Sequence, residues 1–150
     1  MNIILWRHAE AEDIAPDRTD AGRRLTGKGE KQAEAMSEWL HQHLPADTVV
    51  LASPAVRTQQ TASALDREFK TDPRLFTDTG VEAHLDAIRA QTAGSILIVG
   101  HQPTLGQLAA LLLSGQPQSW SVKKGAIWWL SATAETQTTR LVCMLDPKHL

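Results

Sequence analysis

The chain has 150 residues, of which 42% are hydrophobic, and a formal net charge of -2 at pH 7. This length predicts one domain over residues 1–150, with a core large enough to need no disulfide or structural metal. The charge argues against general binding to nucleic acid, and no stretch reaches the roughly 18 consecutive apolar residues that span a membrane. Cys143 is the only cysteine, and its apolar neighbours predict a buried thiol. The lone cysteine and the lack of a basic, apolar leader after Met1 favour a cytoplasmic protein.

Apolar runs and capping residues predict alternating strands and helices through most of the chain. In the first half they predict a strand over 2–7, a polar loop over 9–26, a helix over 28–44 capped by Thr26, and a strand over 48–52. A second helix is expected to begin at Ser53-Pro54, with serine as N-cap and proline at N1, and to present an inner face from Ala55 to Phe69.

The second half continues this alternation. It predicts a short strand near 75–76, a helix over 81–91, a strand over 95–100, a helix from Pro103 to Gly115, and an antiparallel pair over 125–131 and 139–145. Strands that alternate with helices indicate an α/β sheet with helices on both faces.

Two histidines stand where predicted strands end. Arg7-His8 follows the apolar run 3–6, and His101 follows the run 96–99 and Gly100. Ligands bind outside the carboxyl ends of strands in open α/β sheets. A neutral imidazole in that position can act as a nucleophile, and a guanidinium beside it can hold a phosphate.

Further arginines lie at the start of predicted helices. Arg57 falls in the first turn of its helix, where the helix dipole disfavours a cation, so it is either a phosphate ligand or a solvated surface arginine. Arg23 and Arg24 precede the first helix, and they either reach over the site or form a basic patch on a loop.

Four segments together resemble one family. The segments are Leu5-Trp6-Arg7-His8-Ala9, Leu25-Thr26-x-x-Gly29-x-x-Gln32-Ala33, Ser53-Pro54-x-x-Arg57-Thr58-x-Gln60-Thr61-Ala62 and Gly100-His101-Gln102-Pro103. They occur in the order found in the histidine phosphatase superfamily, which has the phosphoglycerate mutase-like fold. The short chain and the Arg-His-Ala variant are most similar to the SixA-type phosphohistidine phosphatases. The resemblance implies a three-layer fold with a mostly parallel central sheet, flanking helices and a minimal insertion.

The resemblance also implies roles for individual residues. His8 is expected to be the nucleophile that accepts the phosphoryl group. Arg7, Arg57 and His101 are expected to form the phosphate pocket, with His101 protonated when phosphate is bound. Arg23 is expected to be a further phosphate contact, although Arg24 occupies the position that is often proline in the family, which leaves open which of the two points inward.

The segment between Arg57 and His101 leaves little room for a lid. Glu82 is the nearest candidate for a general acid or substrate contact, and it is equally a carboxylate favoured at a helix N-terminus. A phosphoramidate bond breaks readily once its nitrogen is protonated, so a phosphohistidyl protein needs a strong enzymic acid less than an alkyl phosphate does.

We therefore expect a cofactor-independent phosphatase that acts on a phosphohistidyl protein, such as a histidine phosphotransfer domain, through an intermediate on His8. A phosphatase of small phosphoesters and a non-catalytic phosphoprotein-binding module are the alternatives. No metal site is expected, because no carboxylate or cysteine set completes one around His8 and His101.

Overall fold

The computed structural model describes residues 1–135 and 138–150. In chain order its elements are β1 (Asn2–Arg7), α1 (Gly27–His43), β2 (Val49–Ala52), α2 (Val56–Ser63), β3 (Lys70–Thr71), α3 (Val81–Arg89), β4 (Ser95–Gly100), α4 (Thr104–Ser114), β5 (Ile127–Thr133) and β6 (Thr138–Leu145). Short 3₁₀ turns cover Pro73–Leu75 and Pro147–His149.

The strands form one six-stranded sheet in the order β3-β2-β4-β1-β5-β6. The pairs β3-β2, β2-β4 and β4-β1 are parallel, whereas β5 and β6 run antiparallel to their neighbours. The predicted fold class and the predicted antiparallel pair are therefore confirmed. The position of β1 between β4 and β5 explains its continuous apolar run, since a strand covered on both faces needs no polar side.

Alternate residues of the central strands point to opposite faces and build two cores. Ile3 and Leu5 of β1 belong to the core that includes residues of α3 and α4, whereas Ile4 and Trp6 belong to the core that includes residues of α1 and α2. The sheet is thus the middle one of three layers.

Helix α1 begins as its sequence predicts. The Thr26 hydroxyl accepts a hydrogen bond from the backbone N–H of Gly29 at 3.0 Å. Gly29 itself is required by close approach, because a Cβ at this position would collide with the carbonyl oxygen of Glu10. The first turn of α1 therefore packs directly against the segment that follows His8.

Helix α2 differs from its prediction at both ends. Its N-cap is Ala55, which makes no side-chain cap hydrogen bond, so the assignment of Ser53 as N-cap and of proline at N1 is wrong. The helix also ends at Ser63, and Phe69 lies beyond it. The Ser53 hydroxyl is used elsewhere, as described below.

Two smaller predictions are also wrong. The third strand is Lys70–Thr71, and Pro73–Leu75 near the predicted strand forms a 3₁₀ turn in which the Asp72 carboxylate accepts from the N–H of Arg74. Cys143 is only half-buried, because β6 is an edge strand of the sheet. Among the helices of the described ranges, none is both long and apolar enough to cross a bilayer.

Candidate active site

Three chain segments meet at the carboxyl ends of the parallel strands. Arg7 of β1 is in register with Gly100 of β4, so His8 and His101 follow neighbouring strand ends, with ring centroids 5.5 Å apart. β2 ends beside β4, with Ala52 in register with Val99, and α2 then carries Arg57 to the same edge. The predicted pocket residues Arg7, His8, Arg57 and His101 are thus brought together.

The His8 imidazole is buried and fixed in one orientation. Its Nδ1 lies 2.8 Å from the carbonyl oxygen of Ala9, and only a protonated nitrogen can face a carbonyl oxygen at this distance. The proton therefore resides on Nδ1, and Nε2 carries a free electron pair. Arg57 Nε donates to this Nε2 at 3.3 Å.

The surroundings of His8 keep it neutral. Burial lowers the pKa of His8 to about 3; the bond to Ala9 opposes this shift, and the positive charges of Arg57, Arg7 and Arg23 add to it. At neutral pH the ring is therefore unprotonated at Nε2, which is the form that can attack an electrophile.

The two core arginines are anchored differently. Arg57 is 4% exposed, and its Nη1 donates to the backbone carbonyl of Asp20 at 2.8 Å. Arg7 donates from Nη1 to the carbonyl oxygen of Val122 at 3.0 Å, and its Nε is buried without a partner among the described residues. Burial, followed by the charge of Arg57, holds the pKa of Arg7 below its usual range, yet a guanidinium stays charged in proteins.

His101 is buried beside Ser53. Its Nε2 lies 2.8 Å from the Ser53 hydroxyl oxygen, and its Nδ1 is buried with no partner in the described part of the chain. Burial, followed by the charge of Arg57, lowers the pKa of His101 to about 3. In the free site His101 is therefore neutral. If Ser53 donates to Nε2, Nδ1 carries the proton and is a donor available to an incoming anion.

The loop before α1 separates the two adjacent arginines. Arg23 donates from Nε to the carbonyl oxygen of Glu12 at 2.6 Å, and its Nη1 pairs with Asp20 Oδ1 at 2.9 Å. The Arg24 side chain is 53% exposed, and its one ion pair within the described residues is with Glu12, at 3.3 Å. Of the two, Arg23 is the one joined to the group around Arg57.

Asp20 and Ser53 are the site residues that sequence reasoning missed. Asp20 bridges the guanidinium groups of Arg57 and Arg23, and Ser53 holds the ring of His101. A signal for each was present, since Asp20 lies three residues before Arg23 and Ser53 directly follows the end of β2. Neither signal identifies the contact of Asp20 with Arg57 or that of Ser53 with His101, because these contacts join segments far apart in sequence.

Glu82 lies apart from these contacts. It is exposed in the first turn of α3, and no hydrogen bond or ion pair within the described ranges joins it to Arg7, His8, Arg57 or His101. Its role as an acid stays a prediction. Over the same residues, no group of three or more His, Cys, Asp or Glu side chains is arranged to hold a metal ion.

Comparison with known proteins places this geometry in context. Residues 3–79 match the family model of the histidine phosphatase superfamily (branch 1). The chain is 34% identical over 128 residues to the phosphohistidine phosphatase SixA homolog of Haemophilus influenzae, a match that covers 75% of this chain and 77% of that protein. It is 30% identical over 125 residues to phosphohistidine phosphatase SixA of Escherichia coli, covering 77% and 76% of the two chains.

Similarity extends to a solved structure. The protein histidine phosphatase SixA complexed with tungstate superposes with a TM-score of 0.83 at 25% identity. The superposition covers 99% of this chain and 98% of that chain, so both have the same arrangement of strands and helices.

Proposed function

Because the chain belongs to the histidine phosphatase superfamily and is a phosphatase with a histidine nucleophile, we propose that it removes phosphoryl groups from phosphohistidyl proteins through a covalent intermediate on His8. The observation that carries the proposal is the state of the His8 ring. Its Nδ1 is fixed by Ala9, and its neutral Nε2 lies within hydrogen-bond distance of Arg57.

In the proposed first step, the Nε2 electron pair of His8 attacks the phosphorus atom. The substrate phosphohistidine enters with a proton from water on its other ring nitrogen. A phosphorus–nitrogen bond forms to His8 as the bond to the substrate ring breaks, and that ring leaves as neutral imidazole with this proton. Arg7, Arg57 and Arg23 neutralise the equatorial oxygens, which is the main requirement of phosphoryl transfer. His101 supplies a further hydrogen bond from Nδ1.

In the second step, water attacks the phosphoryl group on His8. The bond to Nε2 breaks, inorganic phosphate leaves, and the ring returns to its neutral form with the proton still on Nδ1. The proton lost by water goes to the phosphate product. His8 thus needs no change of tautomer through the cycle, because the Ala9 carbonyl oxygen accepts a hydrogen bond from Nδ1–H throughout.

The choice of a phosphohistidyl protein has two supports. Relatives that are 30% and 34% identical bear the name phosphohistidine phosphatase SixA or SixA homolog. Between α2 and β4 the chain forms only a two-residue strand, a 3₁₀ turn and α3, which leaves few residues for a lid. We infer that a site with so few residues to cover it admits a phosphoryl group carried on a protein surface, such as that of a histidine phosphotransfer domain in a cytoplasmic phosphorelay.

The test is a short incubation of the protein with a radiolabelled phosphohistidine phosphotransfer domain, run beside para-nitrophenyl phosphate. We expect rapid loss of label, reduced at least about a thousandfold in His8→Ala and unchanged in His41→Ala, a matched histidine on the exposed end of α1. Turnover of the ester alone would instead favour a phosphatase of small phosphoesters. If the wild-type protein acts on neither substrate, the result would favour a non-catalytic phosphoprotein-binding module.

A further inference from the structure

Asp20 occupies donors that a phosphoryl group would need. Its Oδ2 lies 3.1 Å from Arg57 Nη2, and its Oδ1 lies 2.9 Å from Arg23 Nη1. The backbone carbonyl of Asp20 accepts from Arg57 Nη1 at 2.8 Å. Both terminal nitrogens of Arg57 therefore face Asp20, while its Nε faces His8.

The two sides of this contact differ in freedom to move. The side chain of Arg57 is 5% exposed, whereas that of Asp20 is 57% exposed. Asp20 also borders an open cleft of about 230 Å³. An exposed carboxylate is stabilised by water nearly as well as by an ion pair, so it can rotate away at little cost, whereas the buried guanidinium stays in place.

The charges around this contact favour replacement of the Asp20 carboxylate by a phosphoryl group. Arg7, Arg23 and Arg57 carry one positive charge each and Asp20 one negative charge, which leaves two positive charges while His8 and His101 are neutral. A phosphoryl group on His8 would place negative oxygens against the same guanidinium nitrogens. Two anions cannot share these donors without strong repulsion, so one of them must leave.

We propose that Asp20 is an internal competitor for the phosphate position, which caps Arg57 and Arg23 in the free site and gives way to the phosphoryl oxygens of the substrate. The inference rests on the proposed function for the identity of that substrate. An anion binds only to sites from which the Asp20 carboxylate has moved away. The apparent affinity of every anion is therefore its intrinsic affinity multiplied by the fraction of such sites. A phosphohistidine carried on a protein offsets this loss of affinity through contacts outside the pocket. Free phosphate makes no such contacts, so the product is released.

The test compares Asp20→Asn with Asp13→Asn, a change of equal charge in the same loop at a residue that makes no ion pair within the described ranges. Titration calorimetry at fixed ionic strength measures binding of inorganic phosphate and of tungstate. We expect Asp20→Asn to bind both anions roughly three- to tenfold more tightly than the wild type, since one partly exposed contact is removed. The KM for the phosphohistidyl protein should fall by a similar factor, and Asp13→Asn should match the wild type.

Unchanged or weaker anion binding in Asp20→Asn, repeated in Asp20→Ala, would overturn the inference and assign Asp20 to holding the arginines in place. The inference would also be overturned if no variant binds either anion. A wild-type protein that binds tungstate but releases no phosphate from phosphohistidine would instead overturn the proposed function. Binding alone would then still decide whether Asp20 competes.

Discussion

The two adjacent arginines before α1 have opposite surroundings. The Arg23 side chain is 27% exposed and contacts Asp20, whereas the more exposed Arg24 pairs with Glu12. A charge-assisted hydrogen bond to a phosphoryl oxygen is worth about 1.5–3 kcal/mol, whereas exposed ion pairs contribute little. The two side chains should therefore differ in catalysis although they are neighbours in sequence.

We expect Arg23→Ala to lower kcat/KM for the phosphohistidyl protein by roughly ten- to a hundredfold, and Arg24→Ala to change it less than about twofold. Steady-state rates of phosphate release measure both. Equal losses in the two variants would show that neither arginine contacts the phosphoryl group specifically.

The sequence singles out residues whose chemistry is unusual for their position. His8, Arg7 and Arg57 were predicted as site residues because a histidine at a strand end and an arginine in the first turn of a helix are unusual, and they lie at one edge of the sheet. Their roles stay predictions. Ser53 was misassigned because Ser-Pro at a helix start is typical of an N-cap, and only the tertiary contact with His101 shows where its hydroxyl points. Asp20 was missed for the same reason.

At the scale of elements, the first turn of α1 fixes the segment after His8. The N–H of Thr26 donates to the carbonyl oxygen of Glu10 at 3.0 Å, and Gly29 packs directly against the same carbonyl group. A side chain at position 29 would have to displace the backbone that continues from His8. The glycine of this motif is therefore explained by packing rather than by a special backbone angle.

We expect Gly29→Ala to lower the free energy of unfolding by about 1–3 kcal/mol, because overpacking shifts the surrounding backbone. Gly27→Ala is the matched control, since a Cβ at position 27 meets no atom of the described residues within 4 Å. This substitution should be neutral or stabilising. Urea denaturation of both variants tests this. If the Gly29→Ala protein is as stable as the wild type, the backbone around Glu10 can shift to make room for the added methyl group.

The boundaries of strong elements were predictable, and those of weak ones were not. Continuous apolar runs gave β1 and β4, and Thr26 gave the start of α1, within a residue of the observed bounds. The two-residue strand β3 carries no periodic pattern, so its position could not be read from the chain. Helix α2 ends at Ser63, and the turn that follows includes Asp66, which has a positive φ of 51°.

At the scale of the whole molecule, burying two neutral histidines makes stability depend on pH. The pKa values of His8 and His101 are about 3 in the folded protein, against 6.5 for an ordinary histidine. Below pH 6.5 the unfolded chain therefore takes up protons that the folded protein does not. Stability is lost as the pH falls from 6.5 toward 3.

We expect each of these histidines to account for about 1–2 kcal/mol of the stability lost between pH 7 and pH 5. Urea denaturation at pH 7 and at pH 5 measures the free energy of unfolding that is lost between them. This loss should be about 1–2 kcal/mol smaller in His101→Asn than in the wild type. The exposed His41→Asn variant should lose as much as the wild type. A His101→Asn protein with an unchanged pH dependence would contradict a neutral, buried His101.

The class of the fold was predictable because strand and helix patterns alternate along the chain, but the order of strands was not. Local patterns define each element, whereas the place of β1 between β4 and β5 depends on which faces pack together. The meeting of His8, Arg57 and His101 at one edge followed from a general property of parallel strands. Their distances and partners required the assembled sheet.

The central position of β1 also governs how the molecule must come together. Its partner strands begin at Ser95 and Ile127, so β1 is synthesised well before either strand with which it pairs. Contacts this distant in sequence slow folding and leave apolar surface uncovered in the meantime. The strand that leads to His8 is therefore synthesised before both of its neighbours and pairs with them late.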